Sequence, residues 1–124
     1  MQEGDAIRIA RGWIACDPGI ALDPGILAAQ MEGAMIYGLS AAVHGQITFA
    51  DGMVEQQNFP DYDALRMSGA PRIETRILQN NPHLGGAGEP GTPPAAAALA
   101  NALFALTGER ARVLPLEGQF RFVL

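Results

Sequence analysis

The sequence predicts an α+β fold in which a mainly antiparallel sheet packs against two principal helices, and three features carry that expectation. Two long stretches read as helices between start and stop signals, from Asp23-Pro24 to about Val43 and from Thr92-Pro93 to Gly108. An Asp51-Gly52 pair sits between two alternating runs, which is the pattern of a hairpin. Two more stretches, from about Ala6 to Ala15 and after Pro71, alternate apolar and polar residues as half-buried strands do. No internal repeat or linker interrupts this order, so the 124 residues are expected to form one domain.

The first strand is expected over Ala6 to Ala15, on the alternation of Ile7, Ile9 and Trp13, and Asp17-Pro18-Gly19 reads as a turn. Asp23 can accept from the orphan amides of a helix start, and Pro24 suits the first helical position. In the helix that follows, Ile26, Gly33, Ile36, Tyr37 and Ser40 fall near helical spacing. Gly33, Ala34 and Gly38 leave a thin side that another backbone or a ligand can approach. Glycine lowers helix stability, so its presence here points to a packing reason.

The hairpin should run from Gly45 to Gln57 with a type I′ turn at Asp51-Gly52. Asn58 to Tyr62 reads as irregular, Ala64 to Met67 as a brief turn, and Ile73, Thr75 and Ile77 as the next strand. Asn80 to Pro90 is expected to be loop. Thr92 should cap a helix opened by Pro93 and ended by Gly108, with a short strand near Arg112 to Leu114 before the tail.

Composition excludes several classes of partner. Apolar residues make up 48% of the chain and 15 glycines and 9 prolines punctuate it, which suits a globular, turn-rich domain. All eight basic residues are arginines and the net charge is −5, so nucleic acid and acidic membranes are not expected partners. The single cysteine, Cys16, excludes an intramolecular disulfide and a four-ligand zinc or iron–sulfur site built by this chain alone, and it fits a reducing cytoplasm. Met1 to Asp5 lack the regions of a signal peptide, and no uninterrupted apolar run approaches the roughly 20 residues of a membrane span. Only 17% of residues are charged, which leaves room for a surface meant for a partner, a second copy included.

Chemistry is expected first at Gly85-Gly86-Ala87-Gly88-Glu89-Pro90-Gly91-Thr92-Pro93-Pro94, where one acidic side chain is set in glycine and proline before a helix. Such a loop has little freedom to move Glu89, and a base must be held still to be useful. The end of the helix would favour the carboxylate, whereas burial would raise its pKa. A glutamate that merely satisfies helix-end amides is the alternative. No P-loop is present, since the Lys-Ser/Thr pair is lacking. Gln30 is the second candidate, because its amide can both donate to and accept from a heterocycle edge beside the small Gly33; a solvent-exposed glutamine is the alternative. His44 and His83 share no ligand spacing with acidic residues, so no metal site built by the protein is expected.

Taken together, these motifs resemble a known family. Gln30-Met31-Glu32-Gly33, Tyr37-Gly38-Leu39-Ser40-Ala41-Ala42, Asp51-Gly52-Met53-Val54, Asn58-Phe59-Pro60-Asp61-Tyr62, Leu65-Arg66-Met67 and Gly86-Ala87-Gly88-Glu89-Pro90-Gly91-Thr92-Pro93-Pro94 follow in the order found in the C-terminal part of the molybdopterin-binding subunit of the xanthine dehydrogenase/aldehyde oxidase family. Within that family the most similar branch is the β-subunit of isoquinoline 1-oxidoreductase. The likeness runs from about Asp17 to Leu116.

The resemblance implies a molybdenum hydroxylase acting on an N-heteroaromatic or aldehyde substrate with water as the oxygen source. It implies that Glu89 is the general base, that Gln30 hydrogen-bonds the molybdopterin, and that Gly33, Gly86 and Gly88 allow its close approach. Sulfurs of the pterin hold the metal in that family, so few cysteines and histidines are needed here. Iron–sulfur clusters are expected in a small partner subunit. The remaining cofactor loops and the substrate pocket are expected N-terminal to Met1, in the remainder of the subunit, so the isolated chain is expected to be inactive. A truncated, non-catalytic relative serving as a binding, assembly or oligomerisation module is the alternative.

Overall fold

In the computed structural model, residues 1–123 are described, with the side chains of Gln2 and Glu3 set aside. A short ribbon, β1 (Gln2–Glu3) with β2 (Ala6–Ile7), leads into β3 (Arg11–Cys16) and then helix α1 (Pro24–Val43). The hairpin β4 (Phe49–Ala50) and β5 (Met53–Val54) follows, then β6 (Arg72–Ile77) and helix α2 (Pro93–Thr107). Single 3₁₀ turns occupy Phe59–Asp61 and Leu116–Gly118.

Two helices with small sheets make the fold α+β, but the sheet is not mainly antiparallel. The longest ladder joins β3 to β6 in parallel, from Arg11↔Arg72 to Cys16↔Ile77, while the antiparallel ribbons β1–β2 and β4–β5 have two residues per strand. Parallel strands need a long crossover, and α1 with the hairpin supplies it. Alternation in a sequence marks a strand without giving its direction.

The strand expected over Ala6 to Ala15 breaks between β2 and β3 because the chain changes partner there. Ile7 donates to Arg121 O at 2.8 Å and accepts from Val123 N at 2.9 Å, whereas Ala10 O accepts from Arg72 N at 3.2 Å. The strand expected at Arg112 to Leu114 is absent; the tail pairs later, through a parallel bridge between Ile7 and Phe122. Asn58 to Tyr62, read as irregular, carries a 3₁₀ turn fixed by a capping box. Asn58 Oδ1 accepts from Phe59 N at 2.8 Å and the Asp61 carboxylate accepts from Asn58 N at 3.1 Å.

Helix α1 begins as expected, with Asp23 Oδ1 accepting from Ile26 N at 3.0 Å. With 20 residues and a mean hydropathy of 1.3 it is long and apolar enough to cross a bilayer by length and composition, although Gln30 and Glu32 interrupt its apolar run as read from sequence. Its buried side chains pack instead against the protein, where Met35, Leu39, Ala42 and Val43 share one core with Leu99 and Leu103 of α2 and Leu116 and Phe120 of the tail. His44 closes the helix inside this core. Its Nδ1 lies 2.7 Å from Glu117 Oε2, and since a carboxylate only accepts, the ring proton sits on Nδ1; Nε2 is buried without a partner among the described residues.

The hairpin turn has positive φ at both central residues, 51° at Asp51 and 77° at Gly52, as a type I′ turn requires. Its ladder is shorter than Gly45 to Gln57: beyond Phe49 and Val54 it continues through a bond from Glu55 N to Thr48 O at 2.9 Å, while Gln56 accepts from Thr48 N and donates to Thr48 Oγ1. Helix α2 ends at Gly108, whose φ is 79°, as expected.

Candidate active site

The Glu89 loop and the Gln30 face of α1 meet in one pocket of about 530 Å³. Gln30, Gly33 and Tyr37 lie one turn apart along α1 and form one wall; Gly88 and Glu89 form the other, with Thr92 and Pro93 at the start of α2. Loop and helix are in near contact, since a Cβ added to Gly88 would lie 3.9 Å from Gln30 Nε2. Gln30 and Gly88 also border an adjoining depression of about 380 Å³ beneath Leu22 and Ile26. Gly86 does not reach the Glu89 pocket; it lines a separate cavity of about 220 Å³ with Ile14, Cys16 and Pro90.

The loop is positioned by contacts that the sequence does not reveal. Its glycines do not serve a left-handed backbone, since none of Gly85, Gly86, Gly88 and Gly91 has positive φ. Gly91 instead lets two backbones touch: a Cβ there would lie 3.0 Å from Ala34 Cβ, Ile14 Cδ1 and Met31 O. Gly38 does the same from the helix, where a Cβ would lie 2.5 Å from Thr92 O and 2.8 Å from Ala95 Cβ. Thr92 makes no side-chain cap, contrary to expectation. Its hydroxyl donates across to Ala34 O at 3.1 Å, which ties the start of α2 to α1.

Upstream, Asp17 staples the other end of the loop. Its carboxylate accepts from Asn80 N and Asn81 N at 3.2 Å and from Gly19 N at 3.3 Å, and Gly85 N donates to Pro18 O at 2.9 Å. An Asp-Pro-Gly run reads as a turn from sequence, and only the fold brings Asn80 to it. Beside it, burial and then the Asp17 charge push the Cys16 thiol above its usual range.

Glu89 itself is exposed, and its side chain has no hydrogen-bond or ion-pair partner among the described residues. Its carbonyl accepts from Thr92 N at 2.9 Å, so the backbone is fixed while the carboxylate is free to receive a proton. Gln30 is likewise exposed and unpartnered among the described residues. A Cβ added to Gly33 would meet nothing within 4 Å, so that glycine serves no packing within the chain and leaves open space on the pocket wall. Among the described residues no group of three His, Cys, Asp or Glu side chains converges on a metal position.

A family model of the molybdopterin cofactor-binding domain matches residues 2–71. The chain belongs to that family. The match includes Gln30 and Gly33 and ends before Gly86.

Relatives extend the likeness across the molybdopterin-binding domain and the loop. The chain is 37% identical over 112 residues to the beta chain of isoquinoline 1-oxidoreductase of Brevundimonas diminuta, which covers 90% of this chain and 14% of that protein. It is 31% identical over 115 residues to a nicotinate dehydrogenase subunit of Pseudomonas putida, covering 91% of this chain and 10% of the relative. A third relative, 34% identical over 103 residues, is the membrane-bound aldehyde dehydrogenase (pyrroloquinoline-quinone) of Gluconacetobacter polyoxogenes, with 83% and 13% coverage. That name gives a cofactor different from the one in the family model's description, and the names of the other two relatives give none.

Among solved structures, quinoline 2-oxidoreductase from Pseudomonas putida 86 superposes with a TM-score of 0.75 at 21% identity, over 88% of this chain and 15% of that one. Cu,Mo-CO dehydrogenase gives 0.69 at 22%, over 82% and 14%. At these identities the superpositions establish the fold. The chain thus spans about one seventh of the length of the proteins it matches.

Proposed function

We propose that this chain forms part of the active site of a molybdenum hydroxylase, with Glu89 as the general base and Gln30 as a hydrogen-bonding contact to the pterin. The single observation that carries the reading is the shared pocket, which Glu89 with an unpartnered carboxylate and Gln30 with an unpartnered carboxamide both line. These residues fit the cofactor. A pterin edge needs a side chain that both donates and accepts, which Gln30 offers, and a wall without a Cβ, which Gly33 offers. When bound, the molybdenum cofactor supplies the two-electron oxidation of the substrate, with water as the oxygen source.

What the chain contributes is position and a proton acceptor. Glu89 holds an acceptor oxygen at the mouth of the pocket, and the Gly91 and Thr92 contacts keep it at a fixed distance from α1. Gly88 allows close approach on the loop side, and Gly86 shapes the neighbouring cavity. The remainder of the molybdopterin-binding subunit would cover the pocket and exclude water, and electrons would leave through iron–sulfur clusters in a small partner subunit. An N-heteroaromatic substrate is favoured by the names of two relatives, and an aldehyde by that of the third. A cytoplasmic setting belongs to the same proposal.

The test is Glu89→Gln in the assembled enzyme. Turnover of an N-heteroaromatic should fall by at least about 10²-fold while molybdenum content stays unchanged, because a carboxamide cannot take the proton. Gln30→Ala should lower molybdenum content in the same assembly. Turnover retained in the Glu89→Gln enzyme would leave this segment without a catalytic role.

A further inference from the structure

The parallel pair β3–β6 is incomplete as a sheet, and one of its edges opens onto an apolar groove. Parallel strands occur almost only inside larger covered sheets, and a two-stranded sheet is marginal by itself. Arg72 N donates to Ala10 O and Leu78 N to Cys16 O, with an unbroken register between them. Alternation therefore turns the N–H and C=O groups of Gly12, Ile14 and Cys16 toward β6, and those of Arg11, Trp13 and Ala15 away from it. The outward groups have no backbone partner among the described residues.

On that side lies a groove of about 700 Å³. One wall is the stretch from Ile7 to Trp13, the other is α2 through Leu99, Leu103 and Leu106, and no residue of β6 lines it. Trp13 is 66% exposed and Leu106 42% exposed at its rim. Arg11 is exposed there with no ion-pair partner among the described residues.

We propose that the β3 edge takes a third strand, seated in this groove and supplied by the remainder of the molybdopterin-binding subunit. This rests on the reading that the segment works together with that remainder. The relatives carry about six sevenths of their length outside the matched segment, which is ample to supply one strand. The strand pairs its backbone with Arg11, Trp13 and Ala15. It places apolar side chains, at every second position, over Leu99, Leu103 and Leu106, and an acidic residue beside Arg11.

Residue-resolved hydrogen exchange on the segment alone and on the segment assembled with the remainder of the subunit tests this. The Trp13 and Ala15 amides should exchange at least about 100-fold more slowly in the assembly, while the Gly12 and Ile14 amides are slow in both. Trp13→Pro removes an edge donor, and Leu106→Asp, at a half-exposed position the fold tolerates, charges the groove; each should weaken association by about tenfold or more. Molybdenum content is measured on the same samples. An assembly whose Trp13 and Ala15 amides exchange as fast as in the segment alone overturns the docking and leaves the Glu89 and Gln30 reading intact. Protection that instead rises with concentration of the segment alone gives the edge to a second copy and overturns it too. Failure of any assembly to form overturns both readings. Protected β3 amides without molybdenum keep the docking and sink the cofactor role.

Discussion

Gly33 and Gly38 lie on the same helix, yet replacing each by alanine should move stability in opposite directions. In a helix interior alanine is favoured over glycine by about 0.8–1.0 kcal/mol. At Gly33 the new Cβ meets nothing within 4 Å, so the whole propensity gain should appear and Gly33→Ala should be stabilised by roughly 1 kcal/mol. At Gly38 the same Cβ would lie 2.5 Å from the backbone oxygen of Thr92, an atom that cannot rotate away. Overpacking of this kind costs typically about 1–3 kcal/mol, and a backbone obstacle puts it toward the upper end, for a net loss of about 1–2 kcal/mol. The two variants should then differ by about 2–3 kcal/mol, on the order of 10 °C in Tm. Urea denaturation of both, with unchanged m-values, measures it. If the Gly33 position is a wall kept open for a ligand, Gly33→Ala should also bind less molybdenum in the assembled enzyme although it folds more stably. A Gly33→Ala protein less stable than the parent, or a Gly38→Ala protein equally stable, would refute the assignment of one glycine to space and the other to packing.

Other perturbations follow from the same contacts. Asp17→Ala removes the acceptor for three amides at the base of the Glu89 loop and should speed exchange and proteolysis between Asn80 and Gly88, at a cost of about 1 kcal/mol in global stability. Glu117→Ala should cost about 1–2 kcal/mol by urea denaturation, more than an exposed ion pair usually contributes, because it leaves His44 buried with neither ring nitrogen partnered. A loss under about 0.5 kcal/mol would show that water replaces the carboxylate at His44. Cys16 should alkylate with iodoacetamide more slowly than a free cysteine near neutral pH, since burial and then Asp17 favour the neutral thiol. The midpoint of its pH–rate profile should lie above that of the free amino acid and fall in part in Asp17→Ala.

Local chemistry carried a good part of the fold into the sequence. Asp23-Pro24 and Gly108 act on groups within a turn of themselves, and α1 starts and α2 stops where those signals stand. Asp51-Gly52 fixes φ at its own positions, so the turn type could be read. What could not be read depends on residues distant along the chain. The direction of β3 against β6 is set by the crossover between them, and the break after Ile7 by the tail at Arg121 to Val123. Thr92 shows the limit most sharply: its sequence context is that of a cap, but Ala34 O lies within reach and accepts the hydroxyl's hydrogen bond. In the site, Gln30 and Glu89 were visible as residue types in unusual settings and Gly38 as a thin place where another backbone could approach, as Thr92 does; the parts of Asp17 and Gly91 were not, because they act by bringing two segments together.

That distinction bears on how the pocket works. Neither wall is chemically unusual alone, since one is an exposed glutamine on a helix and the other an exposed glutamate on a loop. Their separation is controlled by contacts that involve neither of them: Gly38 against Thr92, Gly91 against Met31 and Ala34, and the Thr92 hydroxyl on Ala34 O. The two glycine contacts are close approaches that a single methyl group would push apart. A base acts over distances of about 3 Å, and a misplacement of about 1 Å can cost roughly 10²-fold in rate. The demand on this segment is therefore alignment rather than burial. Widening the α1–α2 contact at Gly91 should harm turnover in the assembled enzyme with Glu89 and Gln30 both intact, and Gly91→Ala tests this because its Cβ would press on Ala34, Ile14 and Met31 at 3.0 Å without entering the Glu89 pocket. Full turnover in a folded, molybdenum-loaded Gly91→Ala enzyme would mean that the spacing of the two walls is not what the chemistry depends on.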